Sequence, residues 1–393
     1  MADKRPIIRL RSREGRRVRM GAPWAFSNEI VMDAAAKALP PGTPVMLARE
    51  DGTPMGAGYF NPKSLIAVRV LSSDPHAEIG EPLLTQRLKQ ALALREAVFD
   101  KPFYRLVHAE GDFLPGLVID RFADTLVVQV MTAGMELLLD PLLAALDAAI
   151  APKIVLLKND APARALEGLN PYVRAAKGEA NEITLEENGI RYFADLQSGQ
   201  KSGWYYDQRD NRAFVAGLSQ GKRLLDLYSY TSGFGILAAK RGARAVVCVD
   251  SSEPALALAA RSAKENSVAC DFVRADAMEE LEKRATAGER FDVVICDPPP
   301  FVRARKDLEV GAKAYRKLAR LSAGVTAKNG ILTLCSCSHN IPLERFALEC
   351  AAGIARAGRE AQLIRSAGAG PDHPVHPWLP ETAYLKALTF RLL

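Results

Sequence analysis

The residues best placed to do chemistry stand at the ends of apolar runs in the second half of the chain. One run passes into Asp226-Leu-Tyr-Ser-Tyr-Thr-Ser-Gly233-Phe-Gly235, whose small residues allow a tight turn that brings backbone amides close to a ligand. Asp250-Ser251 closes the next run, where a carboxylate can accept both hydroxyls of a ribose. Asp276-Ala277 closes a third, where a side-chain acceptor and a backbone amide can read an adenine edge. A loop followed by a ribose carboxylate also suits NAD, but the glycines here do not form GxGxxG. A dinucleotide seats its pyrophosphate on a glycine-lined helix N-terminus, whereas S-adenosylmethionine has no phosphate and needs a partner for its ammonium. Asp226 offers that partner.

A second set of residues suits a nucleobase. The run Phe291–Asp297 leads into Pro298-Pro299-Pro300-Phe301. Consecutive prolines fix φ and remove amide donors, which leaves a rigid row of carbonyl acceptors beside the Asp297 carboxylate. Such acceptors suit an exocyclic amino group, and Phe301 is expected to stack on a base taken out of its helix. The fifth run ends Leu334-Cys335-Ser336-Cys337-Ser338-His339. Alternation points both cysteines one way, with Cys335 about 7 Å deeper in the sheet. Cys337, at the edge, is the expected nucleophile and Cys335 the packed thiol, with His339 a candidate neighbour. Carbon 5 of cytosine is too weak a nucleophile to attack a methyl sulfonium. If sulfur first adds to carbon 6, the ring becomes enamine-like and carbon 5 can take the methyl group.

These positions require a sheet whose strand ends converge. Apolar strands at 224–228, 245–250, 272–276, 291–297, 331–336 and 384–392 alternate with helical stretches, which predicts a doubly wound, mostly parallel α/β sheet. Two alternating runs around Asn188-Gly189 predict a hairpin in front of it. Upstream, residues 1–72 hold short β-rich runs broken by Pro40-Pro41-Gly42, Asp51-Gly52 and Asn61-Pro62, as in a small β-barrel. Residues 73–182 read as α+β, with a helix over 81–99, strands at 104–109, 116–121 and 125–131, and a second helix over 136–150. The expected organisation is thus 1–72, 73–182 and 183–393.

With 393 residues, 48% apolar and 25% charged, the chain has ordinary globular usage and length for several cores. No apolar run reaches the roughly 18 residues of a membrane span, and the basic N-terminus lacks a signal-peptide core. A cytoplasmic protein is expected, with no membrane partner. The six cysteines lack the paired spacing of a zinc site or a disulfide framework, so no metal is expected. Residues 1–20 carry eight basic and two acidic side chains, equal to the whole net surplus of +6. Clustered guanidinium groups attract phosphate through counterion release, so Arg9, Arg11, Arg16 and Arg17 are expected to touch RNA.

Together these motifs resemble the bacterial large-subunit ribosomal RNA cytosine-5 methyltransferases that carry an N-terminal PUA domain. The resemblance spans nearly the whole chain. Lys201-Ser-Gly-Trp-Tyr-Tyr-Asp-Gln-Arg-Asp-Asn-Arg212 is similar to the family's segment before the sheet that helps enclose the cofactor. The Asp226–Gly235 run resembles its first cofactor motif, Asp297–Phe301 its substrate motif and Ser336-Cys337-Ser338 its nucleophile motif. The resemblance implies a PUA barrel in front, with Gly56-Ala-Gly-Tyr-Phe-Asn61, and a Rossmann-like class I methyltransferase sheet behind. It implies S-adenosylmethionine contacts at Arg209, Asp226, Tyr228, Ser229, Tyr230, Gly233, Asp250, Ser251, Asp276, Ala277 and Asp297. Pro298, Pro299 and Phe301 would meet the base, Cys337 would attack it, and Asp297 would orient and polarise it. Large-subunit ribosomal RNA is the implied partner, and a homodimer is left open. Cys335 stands where relatives need not have cysteine, so the choice of nucleophile keeps a second candidate. Two other readings fit parts of the pattern: amino-group methylation of guanine, which needs no cysteine, and a non-catalytic RNA-binding assembly factor on the same fold.

Overall fold

In the computed structural model, which describes residues 5–179, 182–197, 199 and 202–393, the chain divides into two units. Asp3 and Lys4 of the basic stretch and Lys201 of the motif above lie outside the described residues. The first unit comprises Met1–Asn181, Leu196–Trp204 and Pro371–Thr382; the second comprises Glu182–Asp195, Tyr205–Gly370 and Ala383–Leu393.

In the first unit, short strands pair in the order Ile7–Arg9, Thr43–Ala48, Pro54–Phe60, Ile66–Ser72, Trp24–Phe26. An isolated antiparallel bridge joins Leu10, just after the first of these strands, to Ile30, just beyond the turn that follows the last, which brings the two edges together as the small barrel predicted from the turn-rich sequence requires. Ile8, Leu10, Val45, Leu47, Phe60 and Val68 fill it. A second five-stranded sheet runs Tyr172–Lys177, Ile154–Asn159, Thr125–Val130, Leu117–Phe122, Phe103–His108. Helices Glu81–Val98 and Leu139–Ala149 pack on it through Leu84, Leu88, Leu142 and Leu146. The helix expected over 136–150 is two, Ala133–Leu137 and Leu139–Ala149. Pro141 lacks the amide a continuous helix would need and is tolerated only in a first turn, so the chain restarts just before it.

The second unit opens with the hairpin Glu182–Glu187 and Ile190–Asp195. Asn188 and Gly189 turn it with φ of 53° and 79°, the left-handed pair that a two-residue loop requires. Seven strands follow: β1 Arg223–Leu227, β2 Ala245–Asp250, β3 Asp271–Arg274, β4 Phe291–Cys296, β5 Thr326–Ser336, β6 Ala361–Ala367 and β7 Lys386–Leu392. Their order is β3-β2-β1-β4-β5-β7-β6, parallel from β3 to β5, with β7 antiparallel to both β5 and β6. The central strands are buried on both faces, as Val-, Ile- and Leu-rich parallel strands must be. Leu225, Val294 and Leu332 meet Tyr315, Leu318 and Phe346 of two covering helices, Leu308–Val325 and Leu343–Arg356. β6 was not expected: it is a largely exposed outer strand with a register break, so neither alternation nor an apolar run marks it. No helix among the described residues is long and apolar enough to cross a membrane.

Candidate functional site

Strand order reverses between β1 and β4, where a doubly wound sheet opens a crevice beyond its strand ends. Asp226 lies there, one residue from the end of β1 and 1% exposed. Its Oδ2 accepts the Gly235 N–H at 3.0 Å, while its buried Oδ1 has no protein partner. Burial pushes this carboxyl up to about 7; the Gly235 amide opposes the shift, and the charge of Asp297 adds to it. In the following loop, Tyr228, Tyr230 and Ser232 have φ of 59°, 50° and 60°. Non-glycine residues adopt this region at a cost of order 1 kcal/mol or more each, so the surroundings must impose it. The Ser229 N–H donates to Val249 O at 3.0 Å, Tyr230 N–H to Asp250 Oδ2 at 2.8 Å and Ser232 N–H to Ser229 O at 2.7 Å. Gly235 allows the close approach to β2, since a Cβ there would sit 2.4 Å from Cys248 Sγ.

Asp250 ends β2, with Oδ1 accepting the Ser252 N–H at 2.8 Å and Oδ2 held by Tyr230, so each oxygen retains a lone pair for a ligand. Ser251 is exposed beside it. Asp276 is exposed and caps the Ala277–Thr286 helix through the amides of Met278 and Glu279, with Ala277 buried at the first helical position. Gly233 is packed tightly, since a Cβ there would lie 2.5 Å from Arg212 Nε. The Nε of Arg209 is 3.6 Å from Glu187 and its guanidinium lies over Tyr206, while the buried Arg212 pairs with the same glutamate at 2.7 Å.

The base-facing set gathers on β4 and β5. Leu334 is the register partner of Cys296, so Cys335, Ser336 and Cys337 run alongside Asp297 and the prolines. The Asp297 N–H donates to Leu227 O at 3.3 Å, which ties the end of β4 to β1. Pro298 is buried; Pro299 and Pro300 are exposed. Cys337 is half-buried, with Sγ 4.0 Å from the Pro298 carbonyl oxygen. Cys335 is 1% exposed, and burial pushes its thiol well up, with the charge of Asp297 adding to the shift. Phe301 is partly buried: its ring lies 4.8 Å from that of Tyr315, and it rests on the core beneath. His339 is exposed and stacks on Tyr384.

Sequence reasoning missed Tyr315 and Lys386. The Tyr315 hydroxyl accepts from Ser336 Oγ at 2.8 Å and shares a hydrogen bond with Ser338 Oγ at 3.0 Å, so one phenol holds both serines that flank Cys337. Ser338 Oγ also accepts the Val302 N–H at 3.2 Å, which fixes the cysteine loop to the proline loop. Tyr315 looks in sequence like any core aromatic of an amphipathic helix. The Lys386 ammonium donates to Ser338 O at 2.6 Å and to Tyr384 O at 3.0 Å. Lys386 did leave a signal, as the one charge within Tyr384-Leu-Lys-Ala-Leu-Thr-Phe390.

Comparison with known proteins matches residues 8–73 to a PUA-like domain and residues 129–391 to the S-adenosylmethionine-dependent methyltransferase model. A protein of Aeromonas salmonicida named ribosomal RNA large subunit methyltransferase I is 34% identical over 94% of this chain and 95% of its own. The protein of that name from Photobacterium profundum is 36% identical over 93% and 94%. A solved Streptococcus mutans structure described as a SAM-dependent methyltransferase superposes with a TM-score of 0.83 at 20% identity, over 98% of this chain and 100% of that one, a likeness of fold.

This chain belongs to the S-adenosylmethionine-dependent methyltransferases. The methyltransferase crevice fits that cofactor on its own chemistry. The orphaned, buried Oδ1 of Asp226 is the acceptor an ammonium group requires, and a bound cation offsets the cost of ionising that carboxyl. In the PUA-like barrel of the methyltransferase, Arg9, Arg11 and Arg16 are exposed, with Arg11 Nε donating to Ile30 O at 2.9 Å. Arg17 is engaged by both carboxylate oxygens of Glu381 and by the Trp378 carbonyl, so its charge is largely satisfied within the protein.

Proposed function

We propose that this methyltransferase acts on large-subunit ribosomal RNA and forms 5-methylcytosine through a covalent bond between Cys337 and carbon 6 of the base. The observation that carries this reading is the position of Cys337. It is half-buried just past the end of β5, beside the proline loop that follows Asp297, while its neighbour Cys335 is sealed in the sheet. The relatives' names support the RNA substrate. The PUA-like barrel, with Arg9, Arg11 and Arg16 exposed, supplies cationic groups for phosphate, and Arg17 contributes less.

When bound, S-adenosylmethionine supplies an electrophilic methyl group on a sulfonium sulfur. Asp226 would receive its ammonium, Asp250 and Ser251 its ribose, and Asp276 with the Ala277 amide its adenine, with the Tyr228–Gly233 loop beside it. Asp297 and the carbonyls of Pro298 and Pro299 hold the cytosine amino group. Cys337 Sγ then adds to carbon 6, and the displaced π electrons make carbon 5 nucleophilic. Carbon 5 would take the methyl group, the methyl–sulfonium bond breaking with its electron pair left on the neutral thioether sulfur, and would then give its proton to a base. The electron pair of that C–H bond restores the ring double bond and breaks the S–C6 bond, which returns the thiolate.

Replacing Cys337 with Ala is expected to lower methyl transfer to RNA by at least about a thousandfold, the scale at which covalent catalysis is lost. Calorimetric binding of S-adenosylmethionine is expected to survive. Retained turnover in a tritium-transfer assay, with an N-methylated nucleoside in the mass spectrum, would move the assignment to amino-group chemistry.

A further inference from the structure

Phe113 and Trp378 belong to the first unit and are 47% and 41% exposed. The backbone holds both in place. Phe113 has φ of 58°, a region that costs a bulky residue of order 1 kcal/mol or more, and its neighbours Asp112 and Leu114 are buried on either side of it. Trp378 lies in the segment Pro371–Thr382, where Pro371, Pro374, Pro377 and Pro380 recur at every third position and restrict the chain.

The two rings share one strip of surface. Phe113 and His376 meet at 71° with ring centroids 5.4 Å apart, and His376 Nδ1 accepts the Trp378 N–H at 3.2 Å. A Cβ on Gly21 would lie 3.3 Å from Cδ1 and Nε1 of Trp378, so the pyrrole edge of the indole rests on the turn that follows the short helix Arg16–Arg19. Trp378 O accepts from Arg17, whose two-pronged pair with Glu381 occupies that carboxylate.

A guanidinium group stands at each end of the strip. Arg87 lies over the Phe113 ring at 5.1 Å and donates to Gln90 Oε1 and Leu71 O, which are both neutral. Arg16, one turn before Gly21, is exposed, and among the described residues its side chain has no hydrogen bond or ion pair. An apolar partner would desolvate these cations without pairing them. Unpaired nucleotides instead bring a phosphate for each cation and a flat face for each ring.

We propose that this strip is a stacking surface for single-stranded RNA, on which bases lie against Trp378 and Phe113 while phosphates meet Arg16 and Arg87. The inference rests on the reading of RNA as the substrate, and it is independent of Cys337 and of the product formed. It adds contact through bases to the phosphate contact of the barrel arginines.

The test is fluorescence anisotropy of the full-length protein with a mixed-sequence single-stranded RNA of about 12 nucleotides and with a duplex of the same length. Trp378→Ala and Phe113→Ala are each expected to weaken single-strand binding about tenfold with the salt slope unchanged, and to leave duplex binding within about twofold. Trp378→Tyr is expected to keep most of the affinity. Arg16→Ala is expected to lower the slope of log K against log salt by about 0.7, the mark of one phosphate on a single strand. Folded aromatic variants that bind the single strand as tightly as the parent overturn the inference. So does a parent dimer that Trp378→Ala dissociates in sedimentation without loss of RNA binding, which gives the surface to a second copy. If the variants do not fold, the parent is photocrosslinked to the same RNA carrying 5-bromouridine. Adducts on the peptides that hold Phe113 or Trp378 are expected, and adducts confined to other peptides overturn the inference equally. RNA bound through these rings by a protein that methylates none of it would support the inference while refuting the proposed reaction; a parent without affinity for either RNA would refute both.

Discussion

Asp226 sets burial against charge. Its carboxyl is raised from an ordinary 3.8 to about 7, so the native protein binds that proton more tightly than the unfolded chain. The stability this contributes is complete below pH 4, is lost as pH rises towards 7, and stays lost above it. Asp226→Asn removes the ionisation and keeps the acceptor for the Gly235 amide. The variant is expected to melt at least a few degrees higher than the parent at pH 8, without cofactor, and to lose the rise in Tm that S-adenosylmethionine gives the parent. Lower stability together with retained cofactor stabilisation would contradict the assignment. Asp226, Asp250 and Asp297 were legible because an acidic residue ending an apolar strand is conspicuous in one dimension. The roles of Tyr315 and Lys386 depend on contacts between β5, β7 and a helix, which no local spacing encodes. The contact of Phe301 with Tyr315 was equally hidden: a motif gives a ring's position in the chain, and packing decides which way it faces.

At the scale of elements, the Asn188-Gly189 hairpin and the parallel strands were readable from strict alternation and from apolar runs with turn residues between them. Two segments of the region expected as one C-terminal domain, Leu196–Trp204 and Pro371–Thr382, instead pack with the first unit. Polar anchors hold them, and hydrophobic periodicity carries no trace of such contacts. Lys158, 1% exposed, donates to the carbonyls of Leu196, Gln197 and Gly199. Arg95, fully buried, makes a two-pronged pair with Asp112 and reaches the Asp372 carbonyl at 2.8 Å. Gly111 allows the second segment to approach, since a Cβ there would fall 2.0 Å from Pro374 O. Arg95→Met leaves Asp112 buried and unpaired, so a loss of about 3–5 kcal/mol is expected from urea unfolding. A loss under about 1 kcal/mol would show that the anchor is dispensable. Acid should weaken the same region. Burial, followed by the charges of His373 and Arg105, holds His108 well below the usual histidine range, so its contribution is present above pH 6.5 and falls away as pH drops.

Over the whole molecule, the basic surplus of the first twenty residues was legible as a sum, but its distribution was not. Arg5 donates to the Pro75 and Ala77 carbonyls, Arg17 to Glu381 and Trp378, and Arg19 to Glu14, which leaves fewer guanidinium groups for phosphate than the charge count suggests. The methyltransferase assignment draws on features far apart in the chain: a small barrel at one end, and four acidic strand ends with a thiol at the other. Its central claim is a sulfur–carbon bond, and trapping that bond tests it most directly. The full-length protein is incubated with S-adenosylmethionine and large-subunit RNA carrying 5-fluorocytidine, in which carbon 5 has no proton to lose. The account predicts a denaturation-resistant protein–RNA adduct whose peptide map places the linkage on Cys337. An adduct on Cys335, or N-methylated product with no adduct at all, would contradict it.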